Sequence, residues 1–414
     1  MSLLDLLSDK EVWQKFYSYK ASLASSSKTV KELSSFIAEK RYLPVCELIA
    51  SGGKFPLPVK SVISKTGTDK KRTVYTYPDN ENMVLKLLTY LLLRKYDCEL
   101  SGNLYSFRPK VTAKDAVRSL TRHESISEMY SYKADIHDYF NSADISLLLP
   151  VLSETIKKHG EDDRLFSFLK KLLIEPKVIE RGRIISEKKG IMAGTPLSSF
   201  YANIYLSSLD HEFEDDNIIY ARYSDDIIVF AGSKEELLNH VNKIKTTFSL
   251  MNLEINRKKE YYSNPGESFT FLGFSVDGKK IDIAPVTLEK LKGKMRRKRD
   301  ALSRWKKRND IDGEKAAKAF IRIFNRKLFE SPDDNELSWS LWFFPLINTT
   351  ESLHIIDIYA QDCIRYLIYG RHTKGRYSVK YSDLKRLGFR SLVNEYYKSK
   401  KIIGKEPFRP IMTQ

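Results

Sequence analysis

The chain has 414 residues, with 70 Lys and Arg against 53 Asp and Glu, so its formal net charge is +17. A charged fraction of 30% and a hydrophobic fraction of 42% are typical of globular proteins and exclude a disordered or fibrous chain. No apolar run approaches the roughly 20 residues that a membrane span requires. The three cysteines are widely spaced and offer neither a disulfide framework nor a paired-cysteine zinc site.

The length and the charge set the first expectations. The chain is long enough for two or three domains with ordinary cores. Its excess of positive charge favours a polyanionic partner, with nucleic acid ahead of an acidic membrane surface. The first residues, MSLLDLLSDKEVW, carry acidic side chains and lack a cleavable signal pattern, so we expect a cytoplasmic protein that binds no membrane.

The N-terminal part predicts helices on either side of a hairpin. Residues 1–50 place apolar side chains at helical spacing, with a polar joint at residues 25–27, and predict two or three short helices. Residues 59–78 predict a β-hairpin with its turn at residues 67–69, and a basic run leads into its second strand. Residues 82–96 predict a long amphipathic helix.

Three aspartates lie at the ends of predicted strands. Residues 131–135 predict a strand that ends at Asp135, and residues 218–232, IIYARYSDDIIVFAG, predict two apolar strands around a tight turn at Asp225 and Asp226. Adjacent carboxylates beside a core repel each other, so this arrangement becomes favourable when a cation binds there. A solvated acidic turn is the alternative for the hairpin taken alone.

Six motifs between about residues 70 and 275 resemble, in their order, those of reverse transcriptases. They are NLYSFRP at residues 103–109, similar to N-x-Y-G-F-R-P; the strand that ends at Asp135; GIMAGTPLS at residues 190–198, similar to G-I-P-Q-G-x-P-x-S; YSDD at residues 223–226, similar to Y-x-D-D; LEINRKK at residues 253–259, similar to L-x-L-N-x-x-K-T; and FLGF at residues 271–274. The departures are Ser106 for Gly, Met192 for Pro and Ala193 for Gln. Ala193 lacks the amide that would touch the incoming nucleotide, which leaves substrate selection and template use open.

The resemblance implies an α+β protein with the fold of a right-hand polymerase. We expect fingers and a palm with an antiparallel palm sheet, followed by an all-helical thumb and C-terminal region. The expected domains are a helical N-terminal segment at residues 1–55, the fingers and palm at 56–284, the thumb at 285–330 and a helical C-terminal extension at 331–414.

The resemblance also implies a reaction with two Mg²⁺ ions, for which Mn²⁺ is a possible substitute. One ion activates the primer 3′-hydroxyl and the other stabilises the leaving pyrophosphate, about 3.5–4 Å apart and bound by oxygen ligands. Asp135, Asp225 and Asp226 are the expected catalytic residues and metal ligands, with the backbone carbonyl of Ile136 completing the shell. Asp138 is expected to be structural, because a spacing of three turns it away from Asp135 on a strand.

Other residues are expected to bind the nucleotide. Phe140 lies five residues beyond Asp135, where the family has an aromatic steric gate that rejects a 2′-hydroxyl and so selects deoxynucleotides. Core packing is the alternative for this ring. The basic hairpin is expected to grip the triphosphate, and the glycine-rich loop to approach the nucleotide. These contacts are assigned to Lys71 and Arg72 in the hairpin, Gly194 and Thr195 in the loop, and Lys258 or Lys259 after the palm hairpin.

Contacts with template and primer are expected at three places. Arg108 would contact a template or primer phosphate, with a structural salt bridge as the alternative. The F-L-G-F motif would grip the primer through Phe271 and Gly273. Residues 288–308 are dense in Lys and Arg and predict a helix whose cations track a duplex backbone, unless they form a merely solvated face. The predicted contacts of this helix are Lys294, Arg297 and Arg304.

Residues 381–397 resemble the C-terminal region of bacterial defence-associated reverse transcriptases, within the group II intron-like, retron and abortive-infection lineage. We therefore expect an RNA-directed DNA polymerase that copies a noncoding RNA from its own locus into DNA, from deoxynucleotides, in antiphage defence. A homo-oligomer is compatible with this function. Three alternatives stay open: a template-independent or protein-primed DNA polymerase, a retron or intron reverse transcriptase, and a non-catalytic RNA-binding scaffold.

Overall fold

The computed structural model describes residues 2–23, 27–64, 71–188, 190–330 and 338–403. These residues form two compact units, of which the first extends to Glu267 and the second begins at Ser268. The second unit thus begins within the range that we assigned to the fingers and palm, and the four predicted domain ranges stay predictions. Among the described residues, no helix is both long enough and apolar enough to cross a membrane.

The first unit combines eight described strands with eleven described α-helices. The strands are β1 (Val59–Ser64), β2 (Lys71–Thr76), β3 (Tyr130–Asp135), β4 (Lys177–Glu180), β5 (Arg183–Ser186), β6 (Tyr220–Tyr223), β7 (Asp226–Ala231) and β8 (Tyr261–Ser263). The helices are α1 (Lys10–Ser22), α2 (Ser27–Ala38), α3 (Tyr42–Ala50), α4 (Asp79–Lys95), α5 (Ala113–Thr121), α6 (Tyr139–Ser142), α7 (Ile145–Lys157), α8 (Asp163–Ile174), α9 (Ser198–Tyr205), α10 (Ser207–Asp215) and α11 (Lys234–Leu250).

The central sheet of the first unit has the strand order β6-β7-β3-β8, and every neighbouring pair is antiparallel. Five of the six residues of β7 are buried, because helix α11 packs against β3 and β7. Burial on both faces explains why β7 is a continuous apolar run rather than an alternating strand. The predicted hairpin around Asp225 and Asp226 is confirmed, since β6 pairs with β7 from Tyr220–Val229 to Tyr223–Asp226.

A second sheet has the order β2-β1-β4-β5. Strands β1 and β2 pair antiparallel from Val59–Thr76 onward, which confirms the predicted basic hairpin, whereas β4 runs parallel to β1. The predicted turn at residues 67–69 lies outside the described residues. The predicted N-terminal helices are confirmed by α1, α2 and α3, and the long amphipathic helix by α4.

The second unit begins with a small antiparallel sheet and continues as helices. Its described elements are β9 (Phe269–Phe271), β10 (Phe274–Asp277), β11 (Lys280–Ile283), α12 (Pro285–Arg308), α13 (Gly313–Phe329), α14 (Trp339–Phe343), α15 (Glu351–Tyr369), α16 (Tyr381–Arg386) and α17 (Leu392–Ile403). Leu272 and Gly273 join β9 to β10 with φ values of 49° and 88°, as a two-residue type I′ turn requires. From residue 285 on, the described part of the chain is helical, as predicted, and the α+β class is confirmed.

Candidate active site

Two of the three aspartates lie opposite each other on neighbouring strands. Asp135 ends β3, Asp226 begins β7, and the two residues are direct partners in the antiparallel register. The N–H of Ile136 donates to the carbonyl of Asp225 at 2.9 Å. Asp135 and Asp226 are therefore the non-hydrogen-bonded pair of this ladder, in which facing side chains approach most closely. The sheet thus brings both carboxylates to one end of the same face.

The third aspartate lies in the turn between β6 and β7. Ser224 has a φ of 60°, a left-handed conformation that a non-glycine residue adopts rarely and that makes the turn tight. Burial raises the pKa of Asp225 to about 6, and the charges of Asp226 and Asp135 act in the same direction. The Asp225 carboxylate is therefore in an environment that disfavours its negative charge, and a cation bound there would offset this cost.

Asn256 and Lys259 hold Asp135 from a third segment. The Asn256 side-chain amide donates to one oxygen of the Asp135 carboxylate at 3.0 Å, and the Lys259 ammonium donates to the other at 2.5 Å. Burial acts to lower the pKa of Lys259, but the hydrogen bond to Asp135 and the charges of all three aspartates outweigh it, so that the pKa is raised. Lys259 is therefore a protonated group at the carboxylates.

The donor chemistry of the site fits a hard divalent cation. The three side chains supply carboxylate oxygens, which are the ligands that Mg²⁺ and Mn²⁺ prefer. Ile136 follows Asp135 directly, is 1% exposed, and is fixed by its hydrogen bond to the turn that carries Asp225. A cation bound by Asp135 competes with the Lys259 ammonium for the same carboxylate.

A fully buried ion pair lies under the aspartate hairpin. The Arg222 guanidinium donates to both oxygens of Asp210, from Nε at 2.8 and 3.0 Å, and neither side chain is exposed. Arg222 also donates to the carbonyls of Asn203, at 2.9 Å, and Ser224, at 3.4 Å. Burial acts to lower the pKa of Arg222, but the charge of Asp210 and its hydrogen bond, together with Tyr139 and Tyr220, outweigh it, so that the pKa is raised. This pair fixes the hairpin turn to helices α9 and α10.

The basic hairpin meets the predicted steric gate. The Arg72 guanidinium lies 5.8 Å from the centre of the Phe140 ring, within the range of a cation–π contact. Phe140 is half-buried and packs edge-on against Phe107 at 6.4 Å. Lys71 is exposed at the start of β2. The structure therefore brings Arg72 and Phe140 together, as a common contact with a nucleotide requires.

The glycine-rich loop is joined to β2. The N–H of Tyr75 donates to the carbonyl of Ala193 at 2.8 Å, and the hydroxyl of Thr195 donates to the carbonyl of Met192 at 3.0 Å. Gly194 has a φ of 99°, and a Cβ there would lie 3.0 Å from the carbonyl oxygen of Tyr75. Gly194 thus permits close approach to β2, and Thr195 is buried. Their contacts with a nucleotide stay predictions.

Arg108 and Asp138 have structural contacts. Arg108 forms an ion pair with Asp97 at 2.8 Å and donates to three backbone carbonyls, among them that of Ser101 at 2.7 Å. These contacts favour the structural alternative for Arg108. Asp138 is exposed and accepts from the side chain of Asn141 at 3.1 Å. Because β3 ends at Asp135, this position follows from the turn after the strand and not from strand alternation.

The other predicted nucleic-acid contacts lie in the second unit. Phe271 is 1% exposed, so its side chain is part of the core, whereas Gly273 lines a groove of this unit. Lys294 lines the same groove, and Arg297 and Arg304 are exposed on α12. The spacings of three and seven residues place these three cations on one face of α12.

Two residues of the site, Asn256 and Arg222, were not predicted from the sequence, although the sequence contains a signal for Asn256 and a weaker one for Arg222. Asn256 is the N of the L-x-L-N segment, and its spacing from Lys259 was visible, but only the fold brings both to Asp135. Arg222 stood inside an apolar strand, where a charged residue predicts a buried partner. Nothing in the sequence identified Asp210 as that partner.

Comparisons with known proteins agree with this geometry. A family model described as reverse transcriptase (RNA-dependent DNA polymerase) matches residues 63–276. The curated Retron Ec83 reverse transcriptase of Escherichia coli is 27% identical over 173 residues, which cover 40% of this chain and 53% of that protein. The chain therefore spans about half the length of this relative.

Similar solved structures are more distant. Apo telomerase from Candida tropicalis is 13% identical with a TM-score of 0.48, over 85% of this chain and 62% of that one. An insertion-loop deletion mutant of the RNA-dependent RNA polymerase of a human picobirnavirus is 13% identical with a TM-score of 0.49, over 83% and 64% of the chains.

Proposed function

Since the chain belongs to the reverse transcriptase family, we propose that it is an RNA-directed DNA polymerase, which extends a primer with deoxynucleotides on an RNA template. The family also identifies the α+β fold as that of a right-hand polymerase, in which β6-β7-β3-β8 is the palm sheet. One observation carries the proposal: the palm sheet opposes Asp135 to Asp226, with Asp225 beside them in a turn.

The roles of the residues follow from their positions. Asp135, Asp225 and Asp226 would hold two divalent cations, Mg²⁺ or Mn²⁺, with the carbonyl of Ile136 as a further ligand. The bound cations supply activation of the primer hydroxyl and stabilisation of the pyrophosphate. Asn256 orients Asp135 through the hydrogen bond to its carboxylate.

The nucleotide would lie between the basic hairpin and the palm. Arg72 presents a guanidinium suited to bidentate contact with phosphate, next to the ring of Phe140. Lys71, Gly194 and Thr195 stay in the proposal as nucleotide contacts from the sequence motifs, and of the two adjacent lysines we assign this role to Lys259, which contacts Asp135. Gly273, Lys294, Arg297 and Arg304 stay in it as contacts with template and primer. The ion pair of Arg108 and the burial of Phe271 favour structural roles for these two residues, which the sequence had assigned to the same contacts.

The proposal extends to the template and the biological role of the protein. We infer that the template is a noncoding RNA from the same locus and that the DNA product acts in antiphage defence. The similarity to a retron reverse transcriptase supports a partner of this kind. Sequencing the DNA that the purified protein makes on its co-purified RNA tests this inference, because a cognate template yields a complementary product.

Primer extension tests the activity itself. The full chain is incubated with an RNA template, an annealed DNA primer, the four deoxynucleotides and Mg²⁺, and the control is Asp225→Asn with Asp226→Asn. We expect template-dependent extension by the natural chain alone, abolished by EDTA. Product of random sequence or DNA linked to the protein would replace the proposal with untemplated or protein-primed synthesis. No product with Mg²⁺ or Mn²⁺ would leave an RNA-binding scaffold.

Substitution of Phe140 tests the steric gate. Phe140→Ala should raise incorporation of ribonucleotides relative to deoxynucleotides by about 10- to 100-fold, because the ring no longer excludes the 2′-hydroxyl. Phe140→Tyr is the matched control, since it keeps the bulk of the ring. The measurement compares kcat/KM for dGTP and GTP on one template. Equal discrimination by both variants would make Phe140 a packing residue only.

The adjacent lysines offer a second comparison. Lys259→Met should slow synthesis by about 10²-fold or more, because it removes a protonated group that contacts Asp135. Lys258→Met is the control, since Lys258 is exposed and lines a separate groove with His137 and Lys245. Single-turnover rates of nucleotide addition measure both. Equal losses would mean that general charge, and not position at the carboxylates, matters.

A further inference from the structure

A basic groove with an aromatic wall lies within the second unit. Its volume is about 1140 Å³, and it is lined by the turn between β9 and β10 and by parts of α12, α13 and α14. Small-molecule pockets measure about 300–1,000 Å³. The groove therefore has room for a short piece of a polymer.

The charge of the groove has a single sign. Five cationic side chains line it, and none of its described lining residues is acidic; the cations are Lys290, Lys294, Arg322, Arg326 and Lys327. Within the described chain, the side chains of four of these residues form no hydrogen bond or ion pair, in contrast to the many paired cations elsewhere; they are Lys290, Lys294, Arg322 and Arg326. Unpaired cations facing one space repel each other and favour a polyanion there.

Two tryptophans form the aromatic part of the groove. Trp339 and Trp342 are half-buried, so part of each indole remains accessible. Trp339 is held by Phe343, with ring centres 4.6 Å apart. Fixed aromatic faces beside cations bind unpaired bases by stacking while the cations contact phosphates. A duplex hides its base faces, so it would gain little from these rings.

We propose that this groove binds an unpaired strand of nucleic acid, with bases stacked on Trp339 and Trp342 and phosphates paired with Lys290, Lys294, Arg322 and Arg326. The site shares Lys294 with the duplex contact predicted for α12 and differs from it in the cations of α13 and the tryptophans of α14. Its identity as part of a polymerase rests on the proposed function, but the binding itself does not. RNA template and DNA product share the chemistry that the groove recognises.

Equilibrium binding of short labelled strands to the full chain, without nucleotides or metal, tests the proposal. The probes are oligo-U, oligo-dT and a duplex of the same length. Arg322→Gln with Arg326→Gln changes exposed residues, so the fold is retained. Binding of a single strand should weaken about ten-fold, and the slope of log K against log salt should fall by about 1.4. Lys315→Gln with Lys318→Gln, exposed on the same helix but outside the groove, should change neither quantity.

The tryptophans supply a readout specific to stacking. Trp339→Ala with Trp342→Ala should weaken binding of the single strand by roughly ten-fold per ring and leave duplex binding unchanged. Phe at both positions should keep most of the binding but lose the quenching of tryptophan fluorescence by the strand. If the alanine variant does not fold, the phenylalanine variant still tests the proposal. Quenching of tryptophan fluorescence that is unchanged in this variant would show that the bases stack elsewhere.

The outcomes separate the proposal from its rivals. If the substitutions weaken the binding of oligo-U but not that of oligo-dT, RNA is the natural strand. If they weaken the binding of oligo-dT but not that of oligo-U, DNA is the natural strand. The proposal would be overturned if the substitutions weakened duplex binding as much as single-strand binding. It would also be overturned if the control with Lys315→Gln and Lys318→Gln weakened single-strand binding equally, or if poly-glutamate competed for the site as well as a single strand does. Because no synthesis is measured, a chain that fails to extend primers still gives an answer.

Discussion

Asp135→Asn should lower the rate of DNA synthesis by about 10³-fold or more and leave the fold intact. The expected loss corresponds to about 4 kcal/mol of transition-state stabilisation. Asparagine keeps the shape of the side chain and the contact with Asn256, but removes one of the three negative charges that would hold the cations. Because Lys259 is half-exposed, the lost ion pair should change the free energy of unfolding by less than about 1 kcal/mol.

Asp138→Asn is the matched control for this prediction. It makes the same chemical change three residues further along the chain, at an exposed carboxylate whose partner is Asn141. We expect its rate to stay within about two-fold of the natural chain. The measurement is single-turnover nucleotide addition as a function of Mg²⁺ concentration. A rate for Asp135→Asn that saturating Mg²⁺ restores fully would reduce Asp135 to a residue that only tunes metal affinity.

Arg222→Met should destabilise the first unit by about 3–5 kcal/mol. The substitution leaves the Asp210 carboxylate fully buried, and the Tyr220 hydroxyl, at 3.1 Å, is then its one remaining side-chain partner among the described residues. It also removes the donors to the carbonyls of Asn203 and Ser224, the latter in the aspartate turn. We therefore expect a lower midpoint of urea unfolding and slower synthesis in the protein that remains folded.

Two comparisons isolate the buried charge as the cause. Arg164→Met removes an exposed arginine that pairs with Asp5 and Asp162, and should shift the urea midpoint only slightly, because solvent screens these ion pairs. Adding Asp210→Asn to Arg222→Met removes the uncompensated charge and should recover part of the lost stability. If Arg222→Met and Arg164→Met shift the urea midpoint equally, the buried pair has no special role in stability.

The sequence predicted the elements well where local patterns decide them. Apolar periodicity located the N-terminal helices and α4, and the alternation of apolar runs with turn residues located the hairpins β1–β2 and β6–β7. The helical character of the described chain beyond Pro285 was also predicted. Strand β7 was predicted although it is buried on both faces, because its flanking turn residues and β-branched side chains indicated a strand.

Assignments that depend on contacts between distant segments were less complete. The sequence suggested a phosphate contact for Arg108, but its ion pair with Asp97 is set by the path of the chain between α4 and α5. It left Lys258 and Lys259 equivalent, whereas the fold places Lys259 on Asp135. It predicted that Gly194 approaches the nucleotide, whereas in the structure Gly194 lies close to the backbone of Tyr75.

Residue identity and spacing are local properties, and they were enough to identify three aspartates at strand ends within an ordered set of reverse transcriptase motifs. The folded chain was needed to show that Asp135 faces Asp226, that Arg222 pairs with Asp210, and that unpaired cations and two tryptophans share a groove. These are contacts between residues far apart in the chain, and strand register and helix packing, which no local pattern encodes, set their distances.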